Sequence, residues 1–387
     1  MTPQLPFRTE HPLAMPPLLQ ELAGLGPVHR VRTRTGHDAW LVTGYEEVKH
    51  YLSDDRLGRS HPDPANAART GESVLFGGPR GNFETEREEH ARMRSLLQPH
   101  FSPKRMRAFT PRMEAITDEL LDDMAAHGSP ADLCQALALP LPILVICELL
   151  GVPYEDRPQF RTWSQQTADV TNRELSEQGL LALYGYGQDL VRRKRKEPGE
   201  DFISQMIDRI PDDEIAMLSM AMLFAGHETT VVAIELGAVC LLTNPEQWQL
   251  LLQRPELIPG AVDEMLRLPA DAIGVIPRYV RTDLDLCGTH VRAGELVVLD
   301  TTAANHDATA FPSPERFDIT RDNAHHVAFG HGLRYCIGAP LARLELRVAF
   351  SKLLARFPGL RLAVPAEQLR RQPDRLTSGV EELPVTF

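Results

Sequence analysis

Phe329-Gly-His-Gly-Leu-Arg-Tyr-Cys-Ile-Gly-Ala339 is the most informative segment of the sequence. Glycines surround Cys336, so the backbone there can adopt positive φ and can approach a flat ligand closely. Pro340 follows, and proline suits the first turn of a helix. We therefore expect the amide groups of Ile337 and Gly338 to point at the sulfur and to stabilise a thiolate that binds a metal.

A second motif lies in a long predicted helix. Helical periodicity runs from Asp212 to Leu242, with an acidic first turn and a stop at Asn244-Pro245. This helix contains Ala225-Gly-His-Glu-Thr-Thr230. The His-Glu pair begins like the zinc motif HExxH, but Val231 occupies the position of the second histidine, so a zinc site of this type is excluded.

The residues after Glu228 conflict with ordinary helix preferences. Thr229-Thr-Val-Val232 places four β-branched side chains in mid-helix, against their propensity. Such conflicts are most often found at functional sites. The alternative is a structural threonine, with the hydroxyl of Thr229 bonded to the carbonyl of Ala225 one turn earlier.

The cysteine segment, FGHGLRYCIGAPLAR, resembles the haem-binding signature of the cytochrome P-450 superfamily, in its bacterial form. The resemblance runs from about residue 20 to the end of the chain. It implies a mainly α fold, with residues 1–387 forming a single large helical domain that carries small β-sheets. It also implies haem b as the cofactor, with Cys336 as the axial iron ligand. The defining positions are filled by Phe329, Gly330, Gly332, Cys336 and Gly338.

A third motif, Glu264-Met-Leu-Arg267, puts a carboxylate and a guanidinium on one helical face. Alone it is a weak signal, because an ordinary surface pair contributes little. With Pro314-Glu-Arg-Phe317 downstream, it resembles the Glu–Arg–Arg network of the family. The resemblance assigns Arg316 as the third member of this structural network.

Cationic side chains stand where the family binds the haem propionates. His90 and Arg94 lie one turn apart on a predicted helix, and Arg278 lies in the strand that follows the Glu264 helix. Arg334 stands where many bacterial members carry histidine, and a guanidinium suits a carboxylate. The resemblance makes these four residues and Cys336 the cofactor site. Solvated surface charges are the alternative for His90, Arg94 and Arg278.

The resemblance also implies the reaction. Glu228 and Thr229 would serve the oxygen side of the haem as the catalytic pair, and the enzyme would hydroxylate or epoxidise a small molecule in secondary metabolism, as actinobacterial relatives do. Electrons would come from NAD(P)H through a ferredoxin and a ferredoxin reductase. Oxidative coupling or desaturation at the same haem stays an alternative, and so does a haem sensor without turnover.

The predicted substrate pocket is almost uncharged, which favours a bulky and largely apolar substrate. Small and aromatic side chains share the Thr229 face of the long helix because they recur at helical spacing. Family resemblance adds residues from the strand before Arg278, from the C-terminal part of the chain and from a loop over the pocket. The predicted lining residues are Phe76, Ala221, Phe224, Ala225, Val275 and Thr377.

Composition limits the other functions. The chain has 387 residues and a formal net charge of −12, and that balance argues against a nucleic-acid-binding surface. Five scattered cysteines form no disulfide framework, and the first ten residues contain no apolar signal segment. The apolar stretch from Leu137 to Leu150 is too short for a membrane span and contains two prolines. We expect a cytoplasmic protein that does not bind a membrane.

Overall fold

Helices dominate the computed structural model, which describes residues 2–9, 11–269, 274–322, 325–372 and 377–387. The mainly α fold class expected from the sequence is confirmed. The described helices are α1 (Pro17–Leu25), α2 (Tyr45–Ser53), α3 (Glu86–Leu97), α4 (Pro103–His127), α5 (Pro140–Leu150), α6 (Arg157–Thr167), α7 (Arg173–Lys196), α8 (Phe202–Met206), α9 (Asp212–Leu242), α10 (Pro245–Gln253), α11 (Ile258–Arg267), α12 (Thr301–Asn305) and α13 (Ala339–Arg356).

The strands form three small sheets. The largest has the order β1-β2-β8-β5-β3, and its β2–β8 pair is parallel whereas its other pairs are antiparallel. The others are β4-β10-β9 and β6-β7. The strands are β1 (Val28–Arg32), β2 (Asp38–Val42), β3 (Leu57–Gly58), β4 (Ala131–Asp132), β5 (Val275–Val280), β6 (Leu284–Leu286), β7 (Thr289–Val291), β8 (Leu296–Asp300), β9 (Arg361–Leu362) and β10 (Pro384–Thr386).

Helix α9 forms the centre of the helical part. Its acidic first turn is favourable at the positive end of the helix dipole, and Asn244-Pro245 follows its last turn. A side chain at Gly237 would come within 3.1 Å of both Phe350 on α13 and Met265 on α11, so glycine allows these helices to approach closely. Although α9 is long and apolar enough to cross a membrane, most of it is buried in this fold, as in the core helix of a soluble protein.

A short helix follows β8 directly, where Thr301–Asn305 forms α12. Its N-terminus is capped by Asp300, whose carboxylate accepts a hydrogen bond from the amide of Ala303 at 2.9 Å. A five-residue helix is too short to give a periodic signal, and the cap alone does not distinguish a helix from a turn.

The predicted Glu–Arg–Arg network exists with a different third member. Arg267 donates two hydrogen bonds to the carboxylate of Glu264, at 2.7 and 2.9 Å, and both side chains are fully buried. The expectation for Arg316 was wrong, because its side chain is exposed. Arg321 takes the third place, with its Nε 3.1 Å from Glu264 Oε1. Arg316 contributes only its backbone carbonyl, which accepts hydrogen bonds from Arg267 and Arg321.

Candidate active site

The cysteine loop leaves Cys336 accessible from outside the protein. Gly330 and Gly332 have φ of 71° and 68°, which lets the chain turn sharply ahead of the cysteine. The amide of Cys336 donates to the carbonyl of Phe329 at 2.9 Å and closes the loop. Cys336 is solvent-accessible, although protein atoms surround its sulfur on most sides.

The amides of Gly338 and Ala339 lie close enough to this sulfur to favour its charged form. Gly338 is one of the two amides expected there, and the expectation for Ile337 stays a prediction. Ala339 is the first residue of α13, and its amide also donates to the backbone carbonyl of Cys336 at 3.3 Å. Burial raises the pKa of the Cys336 thiol, while the two amides and the charge of Arg94 act in the opposite direction. Such donors stabilise a thiolate once a metal has displaced the proton.

Helix α9 has one accessible strip on an otherwise buried surface. Ala221 and Ala225 are exposed and Thr229 is half-buried, whereas Phe224 and Glu228 are buried. Positions 221, 225 and 229 are one turn apart, so the strip is a single face of the helix. We call the accessible space beside these three residues the cleft. The two alanines are small enough to leave room for a ligand against the helix.

The catalytic candidates Glu228 and Thr229 stand side by side on α9. Thr229 donates its hydroxyl proton to the carbonyl of Ala225 at 2.8 Å, which is the bond expected of a structural threonine. That bond leaves the oxygen lone pairs of Thr229 available to accept a hydrogen bond from the cleft. The carboxylate of Glu228 lies 3.7 Å from Nδ1 of His227. Both readings of Thr229 are compatible with this geometry.

The structure brings the predicted propionate ligands into one cationic cluster. Burial and the nearby charge of Arg334 together lower the pKa of Arg278 to about 9. Burial also lowers the pKa of His90 to about 4, with the charges of Arg334 and Arg94 acting in the same direction. His90 is therefore neutral at physiological pH, and the arginines supply the positive charge.

Two further arginines belong to this cluster and were missed from the sequence. Arg59 follows β3 directly, and burial together with the charge of Arg334 lowers its pKa. Arg80 stacks on the ring of Phe76, at 4.8 Å, and burial lowers its pKa to about 10. Both lie in or next to the long loop of residues 61–83, where no periodic pattern relates one side chain to another.

Glu86 is the anion that anchors the cluster. Its carboxylate forms ion pairs with Arg334 and Arg281 and accepts hydrogen bonds from the backbone amides of Arg59 and Ser60. Burial alone would raise the pKa of Glu86, but these hydrogen bonds and the charge of Arg334 lower it. Glu86 was also missed, because a glutamate in the first turn of a helix is ordinary.

The cluster needs more negative charge than Glu86 supplies. Among the described residues, Arg59 Nε and Arg334 Nη1 are buried without a hydrogen-bond partner. Arg278, only 6% exposed, donates to the carbonyl of Pro277 and forms no ion pair within the described part of the chain. Buried cations require anionic partners. The two propionates of a haem have the required charge, so the residues present fit this cofactor.

Aromatic and aliphatic side chains line the space next to this cleft. Phe76 stacks on Phe224 of α9, with ring centroids 5.3 Å apart. Phe76 and Val275 line a cavity of about 210 Å³ together with Gly274 and Ser378. Thr377, next to this wall, is buried. The predicted residues Ala221, Phe224 and Ala225 are not in the lining of this cavity. The two alanines lie on the accessible strip of α9, and the buried Phe224 reaches the cavity only through its contact with Phe76.

Known proteins that resemble this chain do so over its whole length. It is 44% identical to pentalenolactone synthase of Streptomyces exfoliatus, over 100% of this chain and 99% of that protein. It is 42% identical to mycinamicin IV hydroxylase/epoxidase of Micromonospora griseorubida, over 99% and 98% of the two chains.

Solved structures agree with these relatives. The substrate-free structure of PimD, a pimaricin epoxidase, matches with a TM-score of 0.90 at 40% identity and covers 100% of this chain and 99% of that one. A putative thioether synthase involved in griseoviridin tailoring, SgvP, matches with a TM-score of 0.92 at 36% identity over the full length of both chains. The sequence profile described as cytochrome P-450 matches residues 250–375. The chain therefore belongs to the cytochrome P-450 family, whose members use haem b, and it is a monooxygenase of the bacterial biosynthetic type.

Proposed function

We propose that this enzyme hydroxylates or epoxidises a bulky, largely apolar small molecule in secondary metabolism. The observation that carries the substrate class is the lining of the space beside Thr229, where the alanines of α9 leave room and the Phe76–Phe224 pair offers an aromatic wall. PimD is described as an epoxidase of the polyene macrolide pimaricin, which is a molecule of this kind, and another relative is named a mycinamicin IV hydroxylase/epoxidase.

The cofactor site follows from the cationic cluster and the cysteine loop. We assign Cys336 as the iron ligand, and His90, Arg94, Arg278 and Arg334 as the propionate site, with Arg59 and Arg80 beside them. Arg94 also donates to the carbonyl of Tyr335 at 2.8 Å, and so ties α3 to the cysteine loop. When bound, a thiolate-ligated haem supplies the oxygen-activating chemistry of the enzyme.

We assign the control of proton delivery to two neighbouring residues of α9, Glu228 and Thr229. Glu228 is buried beside His227, where a carboxylate can take up a proton and pass it on. Thr229 can accept a hydrogen bond on its oxygen while its own proton stays on the carbonyl of Ala225. We assign Thr229 to hold a proton donor in place, and Glu228 to deliver protons to it.

We assign the substrate pocket to Phe76, Ala221, Phe224, Ala225, Val275 and Thr377. Val275 is 37% exposed although it is large and apolar, which fits a side chain that a ligand covers. The cavity beside it also contains the charged residues Arg34 and Asp300. A polar group on the substrate therefore has partners at that end, while the rest of the lining is apolar.

For the electron donor we propose a ferredoxin with its NAD(P)H-dependent reductase, in the cytoplasm. The described cysteines are all free thiols, as in a reducing compartment. Lys104 and Arg107 on α4 are exposed, and neither forms an ion pair within the described part of the chain. They offer positive charge to an acidic protein partner. Arg92 nearby is less suited, because it pairs with Glu214.

A second reaction class, oxidative coupling, is favoured by one finding. The structural relative SgvP is described as a putative thioether synthase, so a chain of this fold is connected with carbon–sulfur bond formation.

We also propose that residues 1–387 form one domain, because β2 near the N-terminus pairs with β8 in the last third of the chain.

The experiment that tests the proposed function starts with binding. Macrolides and terpenoids are screened for a shift of the haem spin state, and binders are then incubated with NAD(P)H, surrogate ferredoxin and reductase, and ¹⁸O₂. We expect a product that carries one labelled oxygen atom. A product that has lost two hydrogens without label indicates coupling or desaturation. Binding without any substrate-dependent NAD(P)H consumption would contradict an enzymatic function.

A further inference from the structure

Glu235 is a buried acid on α9 that the proposed mechanism does not use. It lies seven residues after Glu228, which places it two helical turns away on a neighbouring line of the same face. Glu235 is only 2% exposed, and no described cation forms an ion pair with its carboxyl group. The titratable groups that face it are the thiol of Cys134 and the carboxylates of Asp132 and Glu228.

These surroundings favour the protonated form of Glu235. Burial raises its pKa to about 8, and the charges of Glu228 and Asp132 act in the same direction. The amide of Val380 and the thiol of Cys134 oppose this shift through hydrogen bonds. Near pH 7 the carboxyl group is therefore mostly neutral, and it becomes charged as the pH rises above 8.

The carboxyl group of Glu235 holds the segment of residues 377–380 against α9. The amide of Val380 donates a hydrogen bond to Glu235 Oε2 at 3.2 Å, and this bond is buried. Gly379 passes so close that a Cβ atom there would collide with the same oxygen. On its other side the segment pairs with residues 371–372, where the amide of Gln372 donates to the carbonyl of Gly379 at 3.0 Å.

The same segment reaches the substrate cavity. Ser378 lines that cavity together with Phe76 and Val275. Thr377 is buried, and its hydroxyl has no hydrogen-bond partner among the described residues. Ser378 is therefore the direct neighbour of Gly379 and lies two positions before Val380, so a movement of either residue is passed directly to the wall.

We infer that Glu235 is a positioning residue for substrate specificity, because its neutral carboxyl group fixes the 377–380 wall of the cavity. An ionised Glu235 would be a buried charge that faces two other carboxylates, and although the amide of Val380 would still bind it, the water drawn in to solvate that charge would loosen the packing of the wall against α9. This inference rests on the proposed pocket. Its consequence is that the affinity for apolar ligands decreases as Glu235 ionises.

The test uses the haem-loaded protein and econazole, an apolar imidazole that shifts the Soret band when its nitrogen binds ferric iron. Affinity is measured between pH 7 and 9, where the probe itself stays neutral. We expect the wild-type affinity to fall several-fold over this range, and Glu235→Gln to keep a constant affinity. Gly379→Ala should weaken binding at every pH, because it displaces the carboxyl group. The same pH profile in wild type and Glu235→Gln, or a flat wild-type profile, would overturn the inference.

An infrared measurement checks the protonation state without any ligand. Burial also raises the pKa of Glu345, so that residue contributes a carbonyl band of its own. The difference spectrum between the wild type and Glu235→Gln at pH 7 should therefore contain the carbonyl band of one buried, protonated carboxyl group, and this difference should be largely lost at pH 9. Equal band intensity in the two proteins at pH 7 would contradict the assignment. If econazole produced no Soret shift in the wild type, the proposed function would fail, whereas a shift independent of Glu235 would overturn this inference alone.

Discussion

Arg321 Nε lies 3.1 Å from Glu264 Oε1, so the carboxylate of α11 is held from two sides. Arg267 binds it from within the same helix, and Arg321 binds it from the segment that leads towards the cysteine loop. Arg321 also donates to the carbonyls of Pro312 and Ser313. The guanidinium of Arg321 thus links the segment of residues 312–321 to the helical core.

Removal of Arg321 should destabilise the enzyme strongly. Arg321→Leu leaves the buried Glu264 with one partner fewer, and breaking a buried ion pair costs about 3–5 kcal/mol. Arg316→Leu is the matched control, because that side chain is exposed, and it should change the unfolding free energy by less than about 0.5 kcal/mol. Thermal unfolding and haem content measure both variants. Equal losses in the two variants would restore Arg316 to the network.

The sequence predicts two members of the Glu264 network but not the third. The motif residues Glu264 and Arg267 are fixed by helical spacing, so their pairing was predictable. The third member comes from an irregular segment, where the chain path decides which of two nearby arginines turns inward. A motif match cannot decide this, because both arginines lie within six residues of one another.

The cationic cluster should control retention of the haem. Arg278→Gln removes one buried charge that faces the propionates, and we expect the rate of haem transfer to apomyoglobin to rise about tenfold, which corresponds to about 1.4 kcal/mol. Arg30→Gln is the control, because the exposed side chain of Arg30 on β1 pairs with the exposed side chain of Asp38 on β2. An unchanged transfer rate for Arg278→Gln would remove Arg278 from the cofactor site.

The same cluster shows what the sequence could and could not reveal. Arg278 and Arg334 occupy motif positions, and the sequence identified them. Arg59, Arg80 and Glu86 lie outside any motif, and only the folded chain places them beside Arg334. The bounds of α9 were predicted to the residue, because an acidic first turn and Asn244-Pro245 mark its ends.

Thr229→Ala should separate oxygen consumption from product formation. The variant keeps its haem and its substrate, but NAD(P)H oxidation should yield mainly hydrogen peroxide, because the hydroxyl that accepts a hydrogen bond from the cleft is lost. Thr229→Ser retains a hydroxyl and should stay largely coupled. Peroxide yield and product yield are measured per NAD(P)H. Full coupling in Thr229→Ala would make Thr229 the structural threonine that its bond to Ala225 also allows.

Charge on α4 should set the rate of electron delivery. Lys104→Glu combined with Arg107→Glu reverses two exposed charges, so reduction by ferredoxin should become slower at low salt. Reduction by dithionite should not change, since dithionite requires no protein docking. Stopped-flow absorbance follows both reactions. If both reductants slowed equally, the variant would have damaged the haem site and α4 would not be the docking surface.

The central claim is that Cys336 is the thiolate ligand of the haem iron, and the carbon monoxide spectrum of the reduced protein tests it most directly. The wild type should show the red-shifted Soret band of thiolate ligation. Cys336→His should bind haem without that band, whereas Cys287→Ser, which changes the other exposed cysteine, should keep it. A Cys336→His variant that retains the red-shifted band would contradict the account.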